Sequence, residues 1–368
     1  MIRVLNMPIA STYGGITQYC LQNFAFIDKS RFIYDFATRS PKLLFEDSLA
    51  SQGCFIHHLD FSIPDIRKML SKGYDVLHLH TSYFKNLNVE DVAKEFKIPK
   101  VIVHSHSTAI DYTHNSTVDK NDPRNQGELI RIHNEIKQRF SLSDATDFSA
   151  CSSKAADWLF GEQIPRDRIQ ILKNAIDVEK FKFDKNIREK IRTEFNLSDK
   201  FVIGHIGRIS YQKNHSFLLD IFANVSSKLS NAVLMLVGDG SLRGQIEEKV
   251  KILNLQNKVL FLGYRENAKD FYHAMDCFCL PSFFEGLGIV LIEAQTASLS
   301  SLASDSIPLD ANITELLTSL PLDIDLWASE ILRIASEKID RIDRTEQIMR
   351  AGYSIRDSIK LLEDIYEV

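Results

Sequence analysis

The sequence predicts an α/β protein made of two Rossmann-like domains with parallel sheets. Short apolar runs alternate with longer amphipathic ones, the pattern of parallel strands joined by helices. These runs fall into two series, and the charged stretch 178–200 between them predicts an interdomain connection nearby. The 368 residues of the chain are enough for two domains of ordinary size.

Each series supplies five predicted strands. The first has strands at 2–5, 33–37, 76–79, 101–104 and 147–150, and the second at 201–206, 233–237, 259–261, 277–280 and 301–303. We place an N-terminal domain at 1–180 and a C-terminal one at 181–350. A final helix at 351–368 carries Ile355, Ile359, Leu362 and Tyr366 at helical spacing. The polar segment 113–126 predicts a mobile loop.

Composition excludes several classes of function. A net charge of −5 gives no reason to expect a nucleic-acid partner. No apolar run approaches the roughly 18 residues of a transmembrane helix. Five scattered cysteines and the absence of a signal peptide predict a cytoplasmic protein. A local basic patch would still allow peripheral association with the inner membrane face. Cys277 and Cys279 lie in an apolar strand and are expected to be buried thiols rather than metal ligands.

The most informative feature is a pair of glutamates, Glu285 and Glu293, separated by seven residues. Before them an apolar run ends at a proline, which predicts a strand. The residues around and after Glu293 predict a helix. Gly286 and Gly288, on either side of Leu287, let the backbone approach a ligand, and the helix N-terminus offers N–H groups to an anion. Two carboxylates beside such a helix end suit a ligand that has hydroxyls and phosphates, such as a nucleotide sugar.

Two further segments predict phosphate contacts. Arg208 and Lys213 follow the first strand of the second series, and together they could neutralise a diphosphate. The alternative is an ordinary solvated basic turn. Gly14-Gly15 stands where a helix begins after the first strand, and Gly15 could bring backbone N–H groups to a phosphate. No G-x-G-x-x-G is present, which argues against a dinucleotide.

Two more strand ends are candidates for nucleotide contacts. Gly238 and Gly240 flank Asp239 after one strand, and Tyr264-Arg265 follows the next. An ordinary strand-to-helix turn is a serious rival for either segment taken alone. The paired aspartates of metal-dependent sugar transfer are absent, so we expect no metal.

Two H-x-H pairs lie in the first half of the chain. Strand alternation puts His104 and His106 on one face, and His78 and His80 form a second pair. These four suggest a zinc hydrolase as the main competing function. Such a site needs additional carboxylates at strand ends, and the first half shows none.

Taken together, these motifs resemble the retaining, nucleotide-sugar-dependent glycosyltransferases of the GT-B fold, the glycogen-synthase-like group, and within it the bacterial capsule and exopolysaccharide enzymes. The resemblance rests on E-x7-E at Glu285 and Glu293 and on G-R-x4-K ending at Lys213, and it spans nearly the whole chain. It implies two Rossmann-like domains that face each other across a cleft. Gly288 departs from the subgroup, which usually has proline there.

The resemblance also implies roles for individual residues. Arg208 and Lys213 would clamp the diphosphate, Glu285 would hold sugar hydroxyls, and Glu293 would hold the ribose. A histidine would lie beside the reacting sugar; the alignment selects His106, with His104 as the fallback. The other implied donor contacts are Gly15, Gly238, Gly240, Tyr264, Arg265, Gly286, Leu287 and Gly288.

The function predicted in this way is a metal-independent, retaining, hexosyltransferase-type enzyme without a cofactor. It would use a UDP-sugar donor and a saccharide or lipid-linked saccharide acceptor in bacterial surface polysaccharide synthesis. Two alternatives stay open at this point, a nucleotide-sugar epimerase and a sugar-nucleotide-binding subunit without activity. Release of UDP that requires an acceptor separates a transferase from an epimerase.

Overall fold

The computed structural model describes residues 1–11, 14–111, 123–337 and 340–367, without the side chains of 123–126. Most of the predicted loop 113–126 lies outside these residues, and helix α5 begins at Pro123. Contacts divide the chain into two compact units. The first contains Met1–Ile110, Val118–Ala175 and Ile355–Val368, and the second is mainly Ile176–Ser354.

The first unit is built on a seven-stranded parallel sheet with the order β3-β2-β1-β4-β5-β6-β7. Its strands are β1 Ile2–Met7, β2 Phe32–Thr38, β3 Ile56–His58, β4 Val76–Thr81, β5 Lys100–Ser105, β6 Asp147–Ala150 and β7 Ile169–Ile171. Its helices are α1 Gly15–Phe26, α2 Glu46–Ala50, α3 Ile63–Leu70, α4 Asn88–Glu95, α5 Pro123–Arg139, α6 Ser153–Leu159 and the C-terminal α14 Ile355–Tyr366.

The second unit is built on a six-stranded parallel sheet with the order β10-β9-β8-β11-β12-β13. Its strands are β8 Phe201–Ile206, β9 Ala232–Val237, β10 Val259–Gly263, β11 Cys277–Leu280, β12 Ser301–Ser304 and β13 Leu317–Leu320. Its helices are α7 Lys185–Glu194, α8 His215–Lys228, α9 Arg243–Ile252, α10 Phe271–Ala274, α11 Ile289–Thr296, α12 Ile324–Ser336 and α13 Thr345–Arg350.

The predicted α/β class with parallel sheets is confirmed, and all ten predicted strands form. Burial explains why the central strands were recognisable: every residue of β9 and of β11 is buried, as expected for parallel strands covered on both faces. All five cysteines are buried thiols, including Cys277 and Cys279 in β11. In the part of the chain that is described, no helix is long and apolar enough to cross a membrane.

Helix α14 packs within the first unit, although it comes last in the chain. Ile355, Ile359, Leu362 and Tyr366 are buried, as their spacing predicted. The Tyr366 hydroxyl lies 2.9 Å from that of Tyr34 and 2.7 Å from His78 Nδ1. The helix is therefore tied to the sheet by polar contacts as well as by apolar burial.

In both sheets the strand order reverses beside the first strand of the unit. β1 lies between β2 and β4, and β8 lies between β9 and β11. At such a switch point the loops after two neighbouring strands run to opposite faces of the sheet and leave a crevice at the carboxyl ends, where open α/β sheets bind ligands. In the second unit the loops after β8 and β11 are the two segments with the predicted Arg-Lys and Glu-x7-Glu motifs.

Candidate functional site

The switch point of the second unit brings the two predicted motifs into contact. Lys213 Nζ lies 2.7 Å from Glu285 Oε1, although the two residues are 72 positions apart in sequence. Both side chains are largely buried, with 15% and 8% of their surfaces exposed. An ion pair this sheltered is screened far less than one on the surface, so it fixes both groups at the end of β8 and β11.

Glu285 is held from three sides. Ser282 Oγ donates to Oε1 at 2.7 Å, and Gln212 Nε2 donates to Oε2 at 3.1 Å, in addition to the contact with Lys213. Gln212 also donates to the Phe284 carbonyl at 3.0 Å, and Phe283 N donates to the Gln212 carbonyl at 2.9 Å. The loop after β11 is thus fastened to the loop after β8. Sequence reasoning missed Ser282 and Gln212, although each adjoins a motif it had identified.

Glu293 lies in the middle of α11, in an otherwise mostly apolar helix. The Tyr272 hydroxyl donates to its Oε2 at 2.6 Å. Burial raises the pKa of Glu293 to about 7, against the lowering effects of Tyr272 and of the Lys213 charge. A partly buried carboxyl with a strongly raised pKa beside a basic loop is the kind of group found at functional sites. Tyr272, on α10, gave no signal in the sequence.

Gly288 starts α11 in the left-handed conformation, with φ +84°. Proline is locked near −65° and cannot adopt this angle. The glycine that departs from the family pattern is therefore required by the backbone of this chain. Leu287 is buried, as are Gly286 and Gly288, so this loop is packed rather than open to solvent.

Arg208 follows β8 at the same edge of the sheet and is partly buried. Burial lowers the pKa of its guanidinium, which nevertheless stays charged at any physiological pH. Arg208 and Lys213 are the predicted diphosphate clamp. Both follow β8, and the neighbouring strand β11 leads to Glu285. Arg208, Lys213 and Glu285 therefore lie at one sheet edge, and the strand order explains why they converge.

The predicted G-x-G loop has a packing reason for its glycines. Gly238 has φ +134°, and a Cβ there would lie 2.0 Å from the Gly207 carbonyl oxygen. A Cβ on Gly240 would lie 2.3 Å from the Ile209 carbonyl oxygen. Both glycines are needed so that the loop after β9 can lie against the loop that carries Arg208. This packing requires glycine at both positions whether or not they touch a ligand.

The remaining donor contacts predicted in the second unit lie after β10. Tyr264 is 48% exposed, and Arg265 Nε donates back to the Leu262 carbonyl at 3.0 Å. In the first unit, Gly15 is exposed at the start of α1, and a Cβ there would meet no atom of the described residues within 4 Å. Space alone therefore does not require glycine at position 15.

The four strand-end histidines form a buried cluster in the first unit. His78 Nε2 lies 3.2 Å from His104 Nδ1, and His80 Nδ1 lies 3.0 Å from His106 Nε2. The ring of Tyr19 contacts all four, with centroid distances of 5.2–6.4 Å. Of the predicted pair, His104 is fully buried, whereas His106 keeps part of its surface exposed. His106 is thus the better placed of the two to meet a ligand.

Among the described residues, three members of this cluster could hold a metal ion. Ring nitrogens of His78, His80 and His104 all lie within 4.8 Å of one another. Both nitrogens of His80 and of His78 already pair, with Asn6, His106, Tyr366 and His104. Burial holds the pKa of each of these three rings well below its usual value. A metal would have to replace hydrogen bonds that already satisfy most of these atoms.

Comparison with known proteins supports the resemblance found in the sequence. Residues 187–316 match the profile of the glycosyl transferases group 1. EpsF of Bacillus subtilis, named as a glycosyltransferase, is 29% identical over 100% of this chain and 96% of its own length. HepE of Anabaena, solved with UDP and glucose, superposes with a TM-score of 0.72 at 17% identity, covering 100% of this chain and 96% of HepE. The chain thus has the fold of the GT-B glycosyltransferases and resembles them in sequence.

A third similar protein is the Escherichia coli UDP-Gal:alpha-D-GlcNAc-diphosphoundecaprenol alpha-1,3-galactosyltransferase. It is 23% identical over 99% of this chain and 96% of its own length. The group 1 match contains Arg208, Lys213, Glu285 and Glu293, whereas Gly15 and His106 lie outside it.

The raised pKa of Glu293 predicts a stability effect that depends on pH. Folding raises this pKa from an ordinary carboxyl value to about 7. The native state therefore favours the protonated form, and stability falls as pH rises from about 4.5 to about 7. We expect Glu293→Gln, which keeps the shape without the charge, to stabilise the protein at pH 8 by on the order of 1–3 kcal/mol. At pH 4.5 the gain should vanish.

Urea unfolding of both proteins at pH 4.5 and pH 8 measures this difference. Glu189→Gln is the matched control, because Glu189 lies in the same unit and its side chain is 64% exposed. Its stability relative to the parent protein should not depend on pH. An equal stability change for Glu293→Gln at both pH values would show that the carboxyl of Glu293 titrates normally.

Proposed function

We propose that this protein is a GT-B glycosyltransferase that moves a sugar from a UDP-sugar to a saccharide or lipid-linked saccharide, with retention of the anomeric configuration and without a metal ion. The observation that carries the proposal is the 2.7 Å contact between Lys213 and Glu285 at the switch point of the second sheet. This contact joins Lys213, a candidate phosphate-binding residue, to Glu285, a candidate sugar-binding residue, before any ligand is bound.

Departure of the diphosphate is the step for which the basic residues are suited. The bond between the anomeric carbon and the diphosphate oxygen breaks, and the two phosphates gain negative charge. Arg208, Lys213 and the backbone N–H groups around Gly286–Gly288 would stabilise that charge, the work that a metal ion performs in other transferases. Lys213 has three N–H donors, so its contact with Glu285 leaves others for phosphate oxygens.

The carboxylates would bind the two hydroxyl-bearing parts of the donor. Glu285 would accept from hydroxyls of the transferred sugar, and Glu293 from the ribose. His106, in the first unit, would steady the sugar near its reacting carbon, the role that the family resemblance gives it. The acceptor hydroxyl would attack the anomeric carbon on the face that the diphosphate leaves. Its proton would pass to an oxygen of the departing diphosphate.

The donor and acceptor classes are proposed from relatives. HepE was solved with UDP and glucose, and the E. coli relative is named for UDP-Gal and a diphosphoundecaprenol-linked sugar. With the resemblance to capsule and exopolysaccharide enzymes, these names favour a lipid-linked acceptor in bacterial surface polysaccharide synthesis. The enzyme would then work in the cytoplasm, with peripheral attachment at the inner membrane face.

Incubation with a panel of UDP-sugars and an undecaprenyl-diphosphate-linked sugar, followed by mass spectrometry and NMR of the product, tests the proposal. We expect UDP release to require the acceptor. We also expect the new glycosidic linkage to have the same anomeric configuration as the sugar in the donor. UDP release or sugar isomerisation that is independent of acceptor would instead indicate an epimerase. An inverted linkage would contradict retention.

Loss of either clamp residue should weaken UDP binding. Arg208→Ala and Lys213→Ala each remove a charge-assisted contact to the diphosphate, so we expect UDP to bind about 10- to 100-fold more weakly, since such a contact is worth about 1.5–3 kcal/mol. Turnover should fall as well. Isothermal calorimetry with UDP and steady-state rates measure both effects.

A matched control is Lys251→Ala, which removes a cation of the same unit from an exposed helical pair with Glu248. Its UDP affinity should equal that of the parent protein. Parent-like affinity and turnover in both Arg208→Ala and Lys213→Ala would contradict the clamp.

Activity should persist in excess EDTA, because Arg208, Lys213 and a helix end would take the place of a cation. The assay is acceptor-dependent UDP release after dialysis against EDTA, compared with samples to which Mg²⁺, Mn²⁺ or Zn²⁺ is returned. Stoichiometric zinc in the purified protein and loss of activity on chelation would revive the histidine cluster as a metal site.

A further inference from the structure

A chain of hydrogen bonds runs from Asn6 through His80 to His106 inside the first unit. Asn6 Oδ1 lies 3.0 Å from His80 Nε2, and His80 Nδ1 lies 3.0 Å from His106 Nε2. Asn6 and His80 are each 1% exposed. At the end of the chain, His106 Nδ1 is buried and has no hydrogen-bond partner among the described residues.

The chemistry of these groups fixes the direction of the chain. An amide oxygen can only accept, so Asn6 requires a hydrogen on His80 Nε2. A neutral imidazole carries one N–H, so His80 Nδ1 is left as an acceptor. His106 Nε2 must then donate to it, and His106 Nδ1 remains an unprotonated acceptor. Each ring is thus committed to one tautomer by the group before it.

Burial keeps the chain in this neutral form. It lowers the pKa of His106 to about 3 and that of His80 well below its usual value. Neither ring then gains a second proton at physiological pH, which would reverse the direction of donation. An unpaired acceptor inside the protein is also a cost to the folded state, and a ligand hydroxyl that donates to it would remove that cost.

We propose that Asn6 and His80 are positioning residues that hold His106 as the tautomer with a bare Nδ1, so that it accepts a hydrogen bond from a hydroxyl of the donor sugar. The proposal rests on the proposed function, which brings His106 to that sugar. It adds to that function a requirement that the donor sugar must meet. The sugar must present a hydroxyl donor to His106, and a hydrogen or a carboxylate in its place would make no such bond.

NMR of the full-length protein labelled with ¹⁵N-histidine tests the tautomer directly. Long-range ¹H–¹⁵N correlation should show His106 with a pyridine-type Nδ1 and a pyrrole-type Nε2, unchanged from pH 6 to pH 8. The His106→Ala variant assigns the signals. A protonated Nδ1 on His106 would mean that the amide of Asn6 is reversed, and it would overturn the proposal whether or not the protein transfers sugar.

Kinetics test whether the chain matters for transfer. His80→Leu removes the acceptor for His106 Nε2, and we expect kcat to fall about five- to tenfold, the size of one hydrogen bond. The KM for the donor and the Kd for UDP should stay within about twofold. His80→Gln can restore the chain, because its amide oxygen accepts from His106 while its NH₂ donates to Asn6, so kcat should recover. A purely structural role would not be rescued in this way.

A double-mutant cycle and a control complete the test. If His80 acts only through His106, adding His80→Leu to His106→Ala should change kcat no further. Thr38→Val is the matched control: it removes the hydrogen bond that Thr38 Oγ1 donates to the Ile9 carbonyl and the one it accepts from Ser40 N, and neither involves the histidines. Its kcat should match the parent value. Additive losses in the cycle, or a His80→Leu variant with parent kcat, would overturn the proposal while leaving the transferase assignment intact.

Discussion

Glu285→Ala should suppress sugar transfer while leaving UDP bound almost as tightly as before. The partner proposed for Glu285 is on the transferred sugar, which UDP lacks. We expect kcat to fall on the order of a hundredfold, the usual effect of removing one preorganised polar group from a reacting centre. Calorimetry with UDP and steady-state rates with the full donor measure the two quantities separately.

The ion pair with Lys213 sharpens this expectation. Glu285 lies 2.7 Å from the Lys213 ammonium, so its removal leaves that cation unpaired. An unpaired ammonium favours an incoming diphosphate, and the Kd for UDP should therefore hold or fall rather than rise. A simple loss of folding would instead weaken UDP binding and transfer together.

Glu293→Ala is the comparison that separates the two carboxylates. The ribose belongs to UDP, so we expect this variant to bind UDP about tenfold or more weakly, since a hydrogen bond to a charged group is worth about 1.5–3 kcal/mol. If Glu285→Ala abolished UDP binding and Glu293→Ala left it intact, the two roles would be reversed. If neither change affected binding or rate, the Glu-x7-Glu motif would not be part of the active site.

How far the sequence predicts the fold depends on where a strand lies in its sheet. The ten predicted strands include every interior strand, whose apolar runs are long because both faces are covered. The three missed strands are Ile56–His58, Ile169–Ile171 and Leu317–Leu320, each three or four residues long. All three lie at sheet edges, where partial exposure interrupts the apolar pattern.

The charged stretch 178–200 predicted an interdomain connection in its vicinity, and one boundary between the two units lies beside it, between Ala175 and Ile176. The stretch itself includes α7, which belongs to the second unit. Arg188 and Arg192 on this helix reach Asp276 at the start of β11. Composition alone cannot distinguish a solvated linker from a helix whose charges have a distant partner.

For the candidate site, the sequence singled out the charged groups but not the residues that support them. Arg208, Lys213, Glu285 and Glu293 were identified because each motif combines a strand end with chemistry that suits phosphates or hydroxyls. Tyr272, which bonds Glu293, is 21 residues away on another helix. Such a partner is chosen by tertiary packing, and no local spacing encodes it.

The same limit applies to the glycines after β9. Gly238 and Gly240 were predicted as ligand contacts, yet the carbonyls of Gly207 and Ile209 already exclude any side chain there. A glycine in a strand-end loop indicates that another group lies close to its backbone. The sequence does not say whether that group is a ligand or another loop.

Asp276→Ala should be the most destabilising single change among the ionic contacts of the second unit. Asp276 Oδ1 accepts from Arg188 at 2.5 Å, and Oδ2 accepts from Arg192 at 3.1 Å and from Val202 N at 2.7 Å. The carboxylate is 20% exposed and Arg192 only 9%. Removal of the Asp276 carboxylate leaves the partly buried guanidinium groups of Arg188 and Arg192 without this anionic partner.

A third cation makes this loss worse. Arg341 donates to the carbonyls of Tyr272, Ala297 and Met275. Burial first, and then the neighbouring charge of Arg188, lower its pKa to about 9, an effect that Asp276 opposes. The carbonyls it binds lie at the ends of α10 and α11, where the helix dipole favours a positive charge. Asp276 is the carboxylate that offsets these three arginines, so each of them loses attraction when it is removed.

We expect Asp276→Ala to lower the free energy of unfolding by about 3 kcal/mol, the lower end of the range for breaking a buried ion pair, because part of the site is open to solvent. Asp276→Asn should cost less, since the amide oxygen can still accept from Val202 N or Arg188. Glu346→Ala is the surface control: its pair with Arg350 is 72–78% exposed and should contribute less than about 1 kcal/mol.

Urea unfolding ranks the three variants, and hydrogen exchange read by mass spectrometry locates the change. Faster exchange in Asp276→Ala should concentrate in α7, β8 and β11, the elements that Asp276 joins. Because β11 leads directly into the loop of Glu285, UDP binding should weaken in parallel with that exchange. Equal stability of Asp276→Ala and Glu346→Ala would mean that the three arginines are held by the helix ends and main-chain carbonyls without any contribution from the carboxylate.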